Sequence, residues 1–479
     1  MMDVLRVLLF IVSLYVVGIL VFRLIMRDLS HSSIFETLAV SFGLGIGLLT
    51  TGAFVLNYFR FPIALSTVFL LILFLICVPV IFTKKNYLSS LRKIRIKGLF
   101  SIINDLSFFD KILVLLILLF IGFVFLSSIS QPLNTFDSRA HWGLTAKILY
   151  HNKTVYSDGL FDVDRVHPHK DYPLLIPYSE SLVYTFMGKV DDQWVRIIFP
   201  FFYLSLLLYI YSIQRRFFSR SHSLVFTAVL AGLPSLTIVS GGGVLSGYAD
   251  VPLSFFAAVS FLYCYTWLHS YEKKYIVLAS LFFIFTIFTK NEGSVLFIIM
   301  VFSMFLVLLS LRHPTVQQKS IAMAMLFFIP LVGNLPWFIM RTHLPVYSEY
   351  NYTGLLNFRS VAEGISRLPM ILIYFFKEFF LSIHRWSFFG LLITFSGIIA
   401  IKKLFRNHNL VLIMPLLSYC AVLVLIYMIT PFQLNDVISG ALTRLLTHIA
   451  PIGVFLLSKL FYDQKFIEFK IGRTSFRGL

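Results

Sequence analysis

The run Ile112–Ile129, ILVLLILLFIGFVFLSSI, followed at 136–142 by Phe-Asp-Ser-Arg-Ala-His-Trp, decides how this chain is read. As a helix the apolar run crosses the roughly 30 Å hydrocarbon layer of a bilayer. It delivers Asp137, with Arg139 and His141 close behind, to one membrane face. The next stretch without polar interruption starts only near Val195, which leaves residues 131–194 as a loop crowded with Asp, His, Arg, Lys, Tyr and Trp. A bundle that only anchors or conducts has no need of such a loop. An enzyme working at the lipid–water boundary does.

Composition agrees with a membrane protein. The chain is 58% hydrophobic and 13% charged, with a mean hydropathy of +0.87, whereas soluble domains carry about a quarter charged residues. The net charge of +18 comes from basic residues scattered between apolar segments, which excludes a nucleic-acid-binding patch and fits anionic lipid head groups. Cys77, Cys264 and Cys420 all fall inside apolar runs and read as small core hydrophobes.

Apolar segments fall at 4–22, 34–57, 62–82, 112–130, 195–213, 222–240, 249–268, 275–289, 293–311, 320–340, 385–401, 409–429 and 437–458. The expected fold is therefore an all-α polytopic membrane protein of about 13 transmembrane helices, with termini on opposite sides. Segment 4–22 lacks a cleavage site and is followed by Arg23 and Arg27, so it reads as retained. More than half of the 40 basic residues lie in one set of alternate connections, including 84–111, 215–220, 402–406 and the tail from Lys459. By the positive-inside rule that side is cytoplasmic, and the loops 131–194 and 341–384 face outward. The basic stretch 86–104 reads either as an amphipathic helix on the inner leaflet or as a solvated linker. Residues 1–110 form an N-terminal three-helix segment with a basic linker, and 111–479 the remaining domain.

Chemistry concentrates at a few places. Asp137 reads either as an N-cap of the helix that follows or as a catalytic carboxylate. The segment from His167 through His169, Lys170 and Asp171 to Tyr172 and Pro173 sets two imidazoles and a carboxylate before an apolar re-entry, and His167, His169 and Asp171 can ligate a divalent cation, although the spacing does not demand one. Asp250, in Tyr248-Ala249-Asp250-Val251-Pro252, reads as an N-cap or a substrate ligand. Lys290 and Glu292 sit in a polar hinge between two apolar runs, either as a self-neutralising pair or as functional charges. Arg444 lies inside the last apolar run and calls for an anion, most naturally a phosphate.

These motifs in order, 136–142, 169–175, 248–252, 289–293 and 444–448, resemble the multi-pass GT-C glycosyltransferases. The resemblance is to bacterial members related to protein O-mannosyltransferases and to the aminoarabinose transferase that modifies lipid A. It implies a GT-C-like catalytic domain over 111–479 that moves one sugar from a polyprenyl-phosphate donor to a lipid, glycan or protein acceptor outside the plasma membrane, with a cytoplasmic C-terminus. Asp137 would be the catalytic carboxylate, with Asp171 the other catalytic candidate. Ser138 and Arg139 follow Asp137 where many relatives carry a second acidic residue. Under this chemistry Arg444 and Lys290, with Arg139 and Arg341 in reserve, would stabilise the leaving phosphate. Trp142, Tyr172 and Tyr248 would stack on the sugar or the first isoprene unit; His141, His169, Asp250 and Glu292 complete the substrate-binding set. No cofactor is firmly implied beyond the optional divalent metal. A lipid-linked polysaccharide polymerase or ligase is the nearer alternative, and would centre on the late loop. A secondary transporter is the farther one, and would show repeated interrupted helices.

Overall fold

A computed structural model describes residues 2–27, 32–82, 106–162, 164, 169–345, 352–405 and 407–464; the basic stretch 86–104 and His167 lie outside them. The described residues form helices and no strand. The principal ones are α1 (Met2–Met26), α2 (Ile34–Tyr58), α3 (Leu65–Phe82), α4 (Phe108–Ser130), α5 (Gly143–Asn152), α6 (Leu175–Met187), α7 (Ile198–Gln214), α8 (Arg220–Ala231), α9 (Asp250–Ser270), α10 (Lys273–Thr289), α11 (Asn291–Ser310), α12 (Val316–Arg341), α13 (Phe389–Ile399), α14 (Asn407–Ile429), α15 (Leu434–Thr447) and α16 (Ala450–Gln464). Among the described residues nine helices are long and apolar enough to cross a membrane, or ten if α15 and α16, bent by 55°, count as one span. This is an integral membrane protein.

Among the described residues the expected count of thirteen is not reached, for local reasons. The run at 222–240 stops at Ala231, where Gly232 and Pro234 end the helix and the chain continues in short turns. The run at 385–401 contains a helix of only 11 residues, and 275–289 one of 17. The run at 437–458 bends just before Pro451, whose ring nitrogen cannot donate back to the preceding turn.

The contacts define two opposite faces. Asp3, at the start of α1, pairs with Lys189 at 2.8 Å, so α1 begins on the face that carries the loop 131–194. At the other face Glu36 of α2 accepts from Arg216 at 2.6 and 2.8 Å and from the Tyr263 hydroxyl at 2.9 Å, and Arg216 also donates to Tyr275. On that face too Lys403 reaches the Asp463 carbonyl.

The first two helices are built into the core. A Cβ on Gly18 would lie 1.8 Å from the Ser41 carbonyl oxygen, and one on Gly45 2.0 Å from that of Leu14. Only glycine allows α1 and α2 to cross so closely, the usual way of packing helices where no water drives association. Phe42 of α2 then meets Phe202 of α7 edge-on at 5.1 Å. At its far end Asn57, 1% exposed, donates to the carbonyls of Phe61 and Lys153 and accepts from the Val155 N–H and the Tyr178 hydroxyl. All four hydrogen-bonding positions of that amide are used, and they fasten the 131–194 loop to the N-terminal helices.

Glu36 is 1% exposed, so removing its cation alone strands a buried charge. Arg216→Met is expected to destabilise the folded protein by roughly 3 kcal/mol, and Glu36→Met/Arg216→Met to recover most of the loss. The check is the thermal midpoint in detergent; equal losses in the single and double variants would show that the pair does not act as a unit.

Candidate active site

Asp250 occupies the first turn of α9, makes no capping bond and has no exposed surface. The approach is a glycine-rich path in which Gly242 and Gly247 take φ of +70°, the left-handed region open to glycine. A buried carboxylate without partners is costly, and three basic side chains converge on this one. Lys290 Nζ lies 2.9 Å from Oδ1 and His448 Nε2 2.7 Å from the same oxygen. Arg444 donates to Oδ2 through Nη2 at 3.2 Å and Nε at 3.3 Å. A carboxylate only accepts, so His448 donates from Nε2, and its Nδ1 is hydrogen-bonded to the Tyr419 hydroxyl at 2.9 Å.

Each partner is placed by a break in a helix. Lys290 is a single extended residue, φ −161° and ψ 155°, between α10 and α11. The turn is tight because Gly293 has no side chain: a Cβ there would sit 1.9 Å from the Thr286 carbonyl oxygen. Arg444 and His448 are one helical turn apart at the end of α15, on one face by their i, i+4 spacing. Lys290 also pairs with Glu292 at 3.0 Å, and the second oxygen of Glu292 is buried without a hydrogen-bond partner.

From Asp250 the network reaches the surface. Arg444 Nη1 lies 2.8 Å from Asp137 Oδ2, and these side chains are 21% and 31% exposed. The guanidinium rests over the Tyr248 ring, 4.4 Å from its centroid, within cation–π range. Asp137 makes no capping bond; it precedes a π-turn, Ser138–Trp142. The N-cap readings of Asp137 and Asp250 are therefore corrected in favour of ion pairing. For Lys290 and Glu292 the self-neutralising pair is present, but it is one arm of the larger network.

Arg444, read from the sequence as calling for an anion, also has carboxylate partners. Its anion in this structure is a pair of protein carboxylates, because α9 and the segment after α4 bring Asp250 and Asp137 to it from remote parts of the chain. The stacking expectation fails for two of three aromatics. Trp142 is buried, and Tyr172 stacks on it and on His169, with ring centroids 5.7 and 4.7 Å away and near-parallel planes. Tyr172 is thus half-buried within an aromatic stack of the protein's own rings. His141 packs edge-on to the same ring at 5.1 Å. Burial holds the His169 imidazole below its ordinary range, against the opposing pull of Asp171, Asp137 and Glu292, so it is neutral near pH 7.

Asp171 forms a separate pair with Arg341 at 2.9 Å. Arg139 is exposed and makes no ion pair among the described residues. Of the optional metal set, His167 lies outside the described residues, His169 stacks on Tyr172 and Asp171 faces Arg341. Among the described residues no three His, Cys, Asp or Glu side chains are grouped to hold a metal ion. His448 closes the 444–448 motif without a role assigned to it from the sequence, and Tyr419 lies in no motif. The one available signal for His448 was its position four residues after Arg444.

Residues 171–337 match a family model described as dolichyl-phosphate-mannose-protein mannosyltransferase. That stretch holds Asp171, Asp250, Lys290 and Glu292, while Asp137 and Arg444 lie outside it. No curated protein matches the chain. Three solved structures of the Archaeoglobus fulgidus oligosaccharyltransferase are similar to it, each with a TM-score of 0.47. The complex with zinc and sulfate is 12% identical over 72% of this chain and 49% of that one. The apo form is 13% identical over 74% and 51%. The form of AglB with an inhibitory peptide and a dolichol-phosphate is 12% identical over 75% and 51%. The chain thus spans about half the length of those proteins. Over residues 171–337, the glycosyltransferase resemblance read from the motifs is borne out by the mannosyltransferase family match.

Proposed function

We propose that this protein transfers one sugar from a polyprenyl-phosphate donor to a hydroxyl of a lipid, glycan or protein acceptor, at the outer face of the plasma membrane. One observation carries the reading: a partly exposed carboxylate, Asp137, is joined through Arg444 to a fully buried one, Asp250. Asp250 holds Nε and Nη2 of the guanidinium, so Nη1 alone is free to exchange partners. A donor phosphate competing for Nη1 would release Asp137 as it binds. The acceptor oxygen then attacks the anomeric carbon, the bond from that carbon to the phosphate oxygen breaks, and the lipid phosphate leaves with the electron pair. The acceptor proton passes to Asp137. Negative charge grows on the departing phosphate, where Arg444 and the exposed Arg139 are best used. Lys290 and His448 hold Asp250 and thereby Arg444, and Tyr248 keeps the guanidinium plane in place.

The outer placement rests on charge. Arg215, Arg216, Arg220, Lys273, Lys274, Lys402, Lys403 and Lys459 belong to connections or helix ends at the face opposite the site, and such residues stay cytoplasmic. The C-terminus is then cytoplasmic too.

Asp137→Asn keeps the shape and a hydrogen bond to Arg444 but cannot take a proton. Transfer is expected to fall roughly 10²–10⁴-fold with the thermal midpoint near that of the parent. Near-parental turnover with a polyprenyl-phosphate-sugar donor would eliminate Asp137 as the base. Arg444→Lys loses the planar fork and is expected to raise the donor KM more than it lowers kcat; unchanged donor kinetics would remove Arg444 from phosphate binding. Because Asp137 and Asp171 already face Arg444 and Arg341, chelation of divalent ions is expected to leave the rate unchanged. Complete loss restored by one added metal would overturn that expectation.

A further inference from the structure

The end of the second long loop, with the residues just after it, carries a polar cluster that the proposed chemistry leaves unused. Glu378 lies in a π-turn, Lys377–Leu381, and is buried. Its Oε1 accepts from Trp386 Nε1 at 2.7 Å and from the Thr443 hydroxyl at 2.5 Å. Its Oε2 accepts from Arg385 Nη1 at 3.0 Å, and the same Nη1 donates to the Thr443 oxygen at 2.8 Å. The Thr443 hydroxyl therefore donates once and accepts once, and it is locked between Glu378 and Arg385. Thr443 is buried on α15 and immediately precedes Arg444.

α15 is also held by its buried residues Ile438, Leu442 and Leu446 and by Ser254 Oγ, which donates to the Thr447 carbonyl at 2.8 Å, but the Thr443 cluster is the polar anchor immediately beside Arg444 that comes from the 377–386 segment. The helix is short, it is bent against α16 by 55°, and its residues from Ser439 to Ala441 are exposed or half-buried, with nothing within 4 Å of a Cβ placed on Gly440. Rotation or a small slide of α15 would move the Arg444 guanidinium away from both Asp137 and Asp250. The cluster that resists this motion is charged, buried and anchored in a different part of the chain. A lone apolar contact would fix depth but not rotation, whereas two hydrogen bonds to one hydroxyl fix both.

We infer that Glu378 and Thr443 are positioning residues for Arg444: the segment 377–386 holds α15 in the rotation at which Arg444 bridges Asp137 and Asp250. The consequence for turnover rests on the transferase reading above; the consequence for the Arg444 environment does not.

The experiment separates the two. Thr443→Val keeps the volume and removes both hydrogen bonds, while Thr443→Ser keeps the hydroxyl. In the purified full-length protein, arginine-selective labelling by phenylglyoxal with mass-spectrometric readout is expected to rise several-fold at Arg444 in Thr443→Val, to stay at the parental level in Thr443→Ser, and to remain constant at Arg341. In transfer assays Thr443→Val is expected to lose roughly ten- to a hundredfold in rate, as for catalytic groups displaced by about 1 Å. In the Arg444→Lys background the same substitution should cost little more, since coupled sites are not additive. Unchanged Arg444 labelling in Thr443→Val overturns the inference, as does a rate loss that simply multiplies with that of Arg444→Lys. Should labelling change while no polyprenyl-phosphate sugar is turned over by the parent, the positioning role stands and the transferase reading falls. If Thr443→Val does not fold, Glu378→Gln provides the same labelling comparison, with its amide oxygen still able to accept from Trp386 and Thr443, and its expected Arg444 labelling lies between the parent and a fully released arginine; parental labelling there overturns the inference.

Discussion

Asp250, a carboxylate with no exposed surface at the head of a membrane helix, is the constraint on which the rest of the site depends. In a low-dielectric interior such a group must be matched by cations with good geometry. Lys290, Arg444 and His448 come to it from two different breaks in helices. Those breaks are the places where regular backbone is given up, and non-helical backbone at membrane depth survives only where protein surrounds it. The single extended residue at Lys290 and the bend between α15 and α16 thus stand around the same carboxylate. Convergence on Asp250 explains why the hydrophobic runs at 275–289 and 437–458 are interrupted where they are.

The two faces of the bundle treat buried charge differently. At the face opposite the site, Glu36, Arg216, Tyr263 and Tyr275 form a closed set in which the carboxylate is saturated by its neighbours. Such a set holds helices together. At the site face the network is open: Asp250 is saturated, but Asp137 and Arg444 remain partly exposed. A bond between two partly exposed ions is weak in net free energy because water competes for both, and a bound anion can exchange with it. The partner exchange proposed for Arg444 draws on both, the strength at Asp250 and the lability at Asp137.

The N-terminal helices acquire a structural purpose in this arrangement. Asn57 ties the end of α2 to Lys153, Val155 and, on α6, Tyr178, all within the first long loop. The loop that carries Asp137 is therefore braced by residues far earlier in the chain, through an amide with every donor and acceptor engaged.

The sequence by itself determined the membrane class, the long loop after Ile129 and the identity of the outlying charges, because a charged residue inside or beside an apolar run is a signal along one dimension. Asp137, Asp250, Lys290, Glu292 and Arg444 are legible in that way. Who pairs with whom was decided only by tertiary structure. Arg444 called for an anion because its nearest acidic neighbour in sequence, Asp436, is two turns away, while the carboxylates that meet it, Asp137 and Asp250, come from remote parts of the chain. Trp142 and Tyr172 looked like stacking groups, since nothing in sequence tells an aromatic facing a ligand from one covered by its neighbour. Hydropathy likewise counts a broken, protein-buried segment such as 222–240 as a crossing, because burial against protein and burial against lipid select the same apolar side chains. Pairing and burial are properties of contacts between distant residues, and only the packed helices supply those contacts.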